Sequence, residues 1–527
     1  MAHAQILIVG LLVAVALLSS LARRLSIPYP IVLVVGGALF GFVPGVPAVT
    51  LNPDVVLVVF LPPLVYSTAF FANLGDMRAN LRSVTLVSVG LVLVTMVGVA
   101  VVAHALIDRL TWGAAFALGA VVSPTDPLAA STIMRRLGLP RRLVSAVEGE
   151  GLFNDATALV AYKVAVAAVV GGSFSMLDAG WKFVAGAAGG VLIGLAVGWV
   201  IAEIRARTDD AQISITISLL SGYAAFVPAN AIGASGVLAA VTTGIYMGVR
   251  GPSIIDARTR LQGYYVWDVL DFIINSALFV LVGLQLRSTV KGLGGESAAT
   301  LAGYALAVSG VVAAVRLLWF FTVPYLIRAL DRRPAQRLRR VGASQRLIIG
   351  WSGMRGAVSL AAALALPLRT NHGTPFPDRD LLIFLTFGVI FSSLVLQGLS
   401  LPALIRRLHV TRDADEEAEE VRARLVATKA ALAQIDALAD ADWTREDSID
   451  RLRRAYEYRQ RRFAARAGKI EDDGYEDRSL AYQQLLQAVL GAQREALVKL
   501  RNEGGISNEV MNRVVRDLDL EESRLEI

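Results

Sequence analysis

The chain has 527 residues, 55% of them hydrophobic and only 18% charged, against about a quarter charged in an ordinary soluble protein. From residue 411 onward there are 20 basic and 26 acidic residues, which leaves 31 and 18 in the first 410, so an apolar part near +13 precedes a tail near −6. The basic balance therefore sits among apolar runs and does not point to nucleic acid, and the lack of cysteine excludes disulfides and thiolate metal sites.

Apolar stretches long enough to cross a bilayer recur about thirteen times, near 4–22, 29–46, 54–74, 83–107, 112–134, 143–170, 181–202, 212–228, 232–249, 264–286, 299–327, 343–367 and 381–405. The first has no basic segment ahead of it and is expected to be a transmembrane helix rather than a cleaved signal. Pro62 and Pro63 are expected to interrupt the third run, and Pro228 to end the eighth. Arginine concentrates in alternate connections, from Arg23/Arg24 and Arg135/Arg136 to Arg205/Arg207, Arg250/Arg258 and Arg406/Arg407. Positively charged loops stay cytoplasmic, so the alternation predicts a short outside N-terminus and an inside tail. The fold class expected is an all-α membrane protein of about thirteen spans (residues 1–410) followed by a soluble helical cytoplasmic tail (411–527). In the tail, 451–459 and 480–500 show helical spacing, Gly504–Gly505 marks a break, and 506–520 is amphipathic. It reads as a solvated appendage, with a regulatory or dimer-supporting role as the alternative.

Most acidic residues of the first 410 fall at the ends of these runs. The exceptions are Asp126, Glu148, Glu150 and Asp155, with Asp268 and Asp271 near the start of the tenth. A charge at bilayer depth costs on the order of 3 kcal/mol, so each is a functional candidate. Several carboxylates on consecutive spans suit the binding and release of cations. Asp126 lies in Ser123-Pro124-Thr125-Asp126-Pro127, where two prolines predict a broken helix whose dipole ends the carboxylate compensates. In the sixth run Glu148, Gly151 and Asp155 share one helical face and Glu150 and Asn154 the next. Gly151 is expected to leave room for water or an ion beside Asp155. Glu148 lies near the cytoplasmic end, where structural pairing is the competing reading, and Lys163 is expected to snorkel outward. In the twelfth run Gly353 and Gly356 flank Arg355 and predict a second interruption. It comes seven spans after the first, an odd offset that reverses orientation and makes an inverted repeat with two broken helices facing each other. Arg355 is expected either to compensate helix C-terminal ends or to pair with Glu150.

These residues resemble the Asn-Asp branch of monovalent cation–proton antiporters, the bacterial NhaP-type and animal NHE-type exchangers. The matching elements run from Leu61-Pro62-Pro63-Leu64 and Thr125-Asp126-Pro127 through Glu148-Gly-Glu150-Gly-Leu-Phe-Asn154-Asp155. Trp267-Asp268 with Asn275 and Gly283 follows, then Gly353-Met-Arg355-Gly356-Ala-Val. The resemblance spans residues 1–410, and the tail looks like those of bacterial members. It implies that Asp155 binds Na+ and proton alternately, with Thr125 and Asp126 helping to form or neutralise the site, Asp126 through water. It also implies that Glu150, Asn154 and Arg355 form a supporting polar cluster, and that the protein is a homodimer in which spans 4–6 and 11–13 move as a core. In two departures, many bacterial members carry an acidic residue where this chain has Ser67, and Ser where it has Gly151. Both positions help ligate the ion in some relatives.

The expected function is thus exchange of Na+, or Li+, for H+ across the cell membrane, with no cofactor beyond the transported ions. A bare ionised carboxylate in a low-dielectric cavity is costly, and either Na+ or a proton removes the cost, so the two compete for Asp155. With Asn154 beside it instead of a second Asp, electroneutral one-for-one exchange fits, unless Glu148 contributes another proton. A K+–proton antiporter is the near rival. A membrane hydrolase would need a nucleophile–base pair or metal triad, and His104 stands alone with neither. A channel would conduct instead of saturating.

Overall fold

The computed structural model describes residues 2–25, 27–43, 56–72, 75, 84–171, 176–293, 297–330, 341–410, 414–471 and 473–523. Arg78, Arg82 and the arginines of 331–340 lie outside this set. Among the described residues the only β feature is an isolated bridge between Arg369 and Pro375; the rest of the regular structure is helix. The chain divides into two compact units, Met1–Arg412 and Asp413–Ile527.

In the first unit a helix falls on every apolar run. In chain order these are α1 (Ala2–Leu25), α2 (Tyr29–Gly41), α3 (Leu61–Phe70), α4 (Val92–Leu106), α5 (Trp112–Val122), α6 (Pro127–Arg136), α7 (Arg141–Gly171), α8 (Met176–Ala206), α9 (Ala211–Ala231), α10 (Gly236–Ile254), α11 (Ala257–Gly292), α12 (Ala298–Leu330), α13 (Ala343–Trp351), α14 (Ala357–Leu364), α15 (Arg379–Ser392) and α16 (Gly398–Leu408). Among the described residues 7 helical stretches qualify by length and composition as membrane spans, including Arg141–Gly171 and Ala257–Arg287. The fifth and twelfth runs fall short because each is split into two half-helices, α5/α6 and α13/α14.

Prolines act in two ways here. Pro62 and Pro63 are the second and third residues of α3, and a π-turn at Val56–Phe60 leads directly into that helix, so the interruption takes the form of a local change in helical winding. Pro228, in contrast, does not end its span: α9 continues through it to Ala231. Neighbouring helices let a membrane helix absorb such a proline.

Lipid tails are as apolar as leucine, so helices in a bilayer associate through close packing of small residues. The α2–α11 contact shows this. A Cβ at Gly37 would overlap the carbonyl oxygen of Val280, and one at Gly283 would overlap that of Val34. The α8–α10 pair is similar, since a Cβ at Gly194 would lie 2.5 Å from the Ala239 oxygen.

The second unit is helical as well: α17 (Ala414–Ala437), α18 (Glu446–Arg466), α19 (Tyr475–Asn502) and α20 (Asn508–Glu522). Val421, Leu425 and Phe463 form its small apolar cluster. Gly504 takes φ +76° at the break after α19, a conformation glycine adopts without strain. Beyond it Ser507 caps α20, and Arg494 ties α19 back to Asp519 at 2.6 Å.

Because no side chain can give way at a backbone carbonyl, Gly283→Ala should destabilise the protein by roughly 1–3 kcal/mol. Thermal unfolding of the purified protein in detergent checks this. A wild-type melting temperature would show that α2 and α11 have room to part.

Candidate functional site

The first break is built by Ser123, Pro124, Thr125 and Asp126. After α5 stops at Val122, Asp126 adopts an extended conformation and its Oδ1 accepts the Leu128 N–H at 2.9 Å, capping α6, with Pro127 as the first helical residue. The second break is Ser352 to Gly356, between α13 and α14. The two meet: the Asp126 N–H donates to the Met354 carbonyl at 2.8 Å, and a Cβ at Gly356 would overlap the Asp126 carboxylate. Arg355 Nε donates to the Val122 carbonyl at 2.9 Å and Nη2 to that of Ser123 at 3.4 Å, while Nη1 donates to Gly353. The Val122 and Ser123 carbonyls are among those the α5 C-terminus leaves without intrahelical partners. Of the two expectations for Arg355, compensation of helix ends is the arrangement found.

Glu150 pairs elsewhere. Its carboxylate takes a two-pronged ion pair from Arg316 of α12, through Nη1 to Oε1 and through Nη2 to Oε2 at 2.8 Å. Arg316 is 1% and Glu150 4% exposed. Arg316 Nη2 also donates to the Ile349 carbonyl, in the last turn of α13, at 3.1 Å. A Cβ at Gly353 would overlap the Arg316 side chain, so that glycine is what admits the guanidinium. Thr125 Oγ1 donates to Glu150 Oε1 at 3.0 Å and accepts from Asn154 Nδ2 at 2.6 Å. Asn154 therefore braces α7 against the first break through Thr125, and not through Arg355.

Asp155 lies on the other side of these contacts. With Thr125, Asp126, Gly151 and Ser67 it lines a cavity of about 270 Å³, which also reaches Asp271, Asn275, Ser359 and the pair Arg135–Glu148. No cationic side chain among the described residues pairs with Asp126, Asp155 or Asp271. Glu148 is held by Arg135 at 2.5 Å. Gly151 lines the cavity beside Asp155, and its missing side chain also admits the Pro127 ring, since a Cβ there would lie 2.6 Å from it. Lys163 is exposed, its Nζ 3.4 Å from Asn230 Oδ1.

Residues 10–407 match the family model described as sodium/hydrogen exchanger, transmembrane. The chain belongs to the sodium/hydrogen exchanger family. An uncharacterized Na(+)/H(+) exchanger of Mycobacterium tuberculosis is 36% identical over 99% of this chain and 96% of its own. The sodium, potassium, lithium and rubidium/H(+) antiporter of Bacillus subtilis is 32% identical over 76% of this chain and 61% of its own. Among solved structures, the sodium proton antiporter MjNhaP1 of Methanocaldococcus jannaschii shares the fold at a TM-score of 0.60 and 18% identity, over 76% of this chain and 98% of that one. The protein is accordingly a multi-pass membrane transporter that exchanges sodium for protons.

For this exchanger the sequence reading overlooked Arg316. It stands in the middle of the run 299–327, and the rule that singled out the carboxylates, a charge inside an apolar span, applied to it equally. Its partner could not be chosen from sequence, because Glu150 is 166 residues away.

Removing one member of a buried ion pair strands the other, which costs about 3–5 kcal/mol. Arg316→Gln and Glu150→Gln should each lower thermal stability in detergent, and the double variant should recover part of the loss. Strictly additive losses would show that the two side chains do not act as a pair.

Proposed function

We propose that this exchanger carries Na+ and H+ alternately on Asp155, one for one, by alternating access. The observation that carries this reading is the contrast on α7. Glu150 is buried against Arg316, whereas Asp155, five residues on, lines the cavity without a cationic partner. A permanently neutralised carboxylate cannot trade a cation for a proton; an uncompensated one must hold one or the other to cross an apolar barrier. Asp126 keeps one oxygen on the Leu128 N–H and serves as a fixed charge that favours a cation at Asp155, directly or through water. Thr125 spends its proton on Glu150 and one lone pair on Asn154, which leaves one lone pair for an ion. Among the described residues no three His, Cys, Asp or Glu side chains converge as a metal-holding group. Such a ligand-poor site suits cargo that must leave again.

The Bacillus subtilis relative is named for sodium, potassium, lithium and rubidium, so K+ is the second reading. A homodimer, in which one unit moves against a stationary interface, belongs to the same proposal.

Everted membrane vesicles carrying an imposed pH gradient test the proposal. Addition of Na+ should collapse the gradient, equally with and without an imposed membrane potential, and Asp155→Asn should abolish the response. Exchange that survives in Asp155→Asn, or a rate that follows the potential, overturns the assignment of carrier or of stoichiometry respectively. A response to K+ as large as to Na+ would decide for the second reading.

A further inference from the structure

The cavity contains a carboxylate that the exchange at Asp155 does not employ. Asp271 extends from α11, and Asn275 one turn further lines the same space. Its Oδ1 lies 2.9 Å from Ser67 Oγ on α3. Ser67 is buried, and its hydroxyl has a second acceptor, the Leu64 carbonyl, at 3.0 Å. One hydroxyl proton cannot satisfy two acceptors. When it turns to Leu64, the Ser67 lone pairs and Asp271 Oδ1 face each other across a gap with nothing positive between them. Among the described residues nothing else lining the cavity supplies the charge. Arg135, the cationic side chain lining the cavity, is engaged by Glu148, and Asp268, one turn before Asp271, is another acid and exposed.

We propose that Asp271 and Ser67 form a second station for the transported cation. It lies on the α3–α11 wall of the cavity, passes the ion to Asp155 and sets the apparent affinity. The inference rests on the Asp155 reading for its destination, but not for its chemistry. Two oxygens, one carrying a full charge, recognise a small monovalent cation. Their separation between two helices places the station on a different part of the framework from Thr125, Asp126 and Asp155.

In everted vesicles, Asp271→Ser should raise the Na+ concentration for half-maximal exchange about tenfold while the maximal rate holds, the pattern of lost ground-state binding. Ser67→Asp added to Asp271→Ser exchanges the two side chains, keeps both oxygens, and should return that concentration to near the wild-type value. Asp271→Asn, close in shape, serves if the serine variant fails to fold. A binding readout independent of transport completes the test: Na+ stabilises a protein that binds it. Asp155→Asn should therefore retain a Na+-dependent rise in melting temperature that is lost in Asp155→Asn/Asp271→Asn. A wild-type half-maximal concentration in both Asp271 variants, or a swapped pair no better than Asp271→Ser, overturns the proposal. Absence of exchange in the wild-type chain would instead overturn the Asp155 reading, with the melting shift left to judge Asp271.

Discussion

Two helices broken inside an apolar bundle leave backbone carbonyls that neither water nor a helical turn can satisfy, and the rest of the site depends on how that deficit is met. Arg355 meets it from within the second break by reaching the end of α5 at Val122 and Ser123. The reciprocal contact, Asp126 N–H to the Met354 carbonyl, closes the crossing from the other side. A single guanidinium thus serves in place of the solvent that a loop on the surface would have.

With that crossing in place, the carboxylates of α7 divide by partner and not by depth. Glu150 faces α12 and is neutralised permanently; Asp155 faces the cavity and is not. Asn154 and Thr125 stand between them and connect the braced side to the open one. Thr125 receives from Asn154 and gives to Glu150, so polar bonds hold the break on the Arg316 side, while the Pro127 ring packs on Gly151. On the proposed assignment of Asp155 as carrier, the charge that moves is kept apart from the charge that holds the helices together.

Much of this was legible in the amino-acid sequence. Length and hydropathy located the helices of the first unit, and the prolines and glycines around Asp126 and Arg355 marked both breaks, because a missing N–H or a missing side chain has the same local effect in any fold. Partners were not legible. Glu150 had a choice of arginines, and only the packing of α12 against α13 puts Arg316 within its reach. The contact of Gly151 with the Pro127 ring was not legible either, since sequence shows that a side chain is absent but not what lies against the backbone there. Pro228 was read as a terminus because its cost is judged for a helix in water, and α9 has neighbours.

The distribution of polar bonds also bears on how such a site could open alternately to two sides. Ser88 ahead of α4 donates to the Glu150 carbonyl of α7 at 3.2 Å, Arg316 joins α12 to α7 and α13, and the Arg355 N–H joins the second break to Ser393 after α15 at 3.0 Å. With the Arg355 bonds to Val122 and Ser123, they run through the fourth, fifth, sixth, eleventh, twelfth and thirteenth spans, and each is costly to break in a low dielectric. Bonds of this kind resist separation of the helices they link, which supports the proposal that those spans move together. The α2–α11 and α8–α10 contacts are of another kind, backbone laid against backbone through glycine. The cavity lies where the two kinds of packing meet, with Asp155 on the first and the Ser67–Asp271 bond on the second. Displacement of one body against the other would therefore change the distance between the two carboxylates without disturbing the bonds that hold either in place.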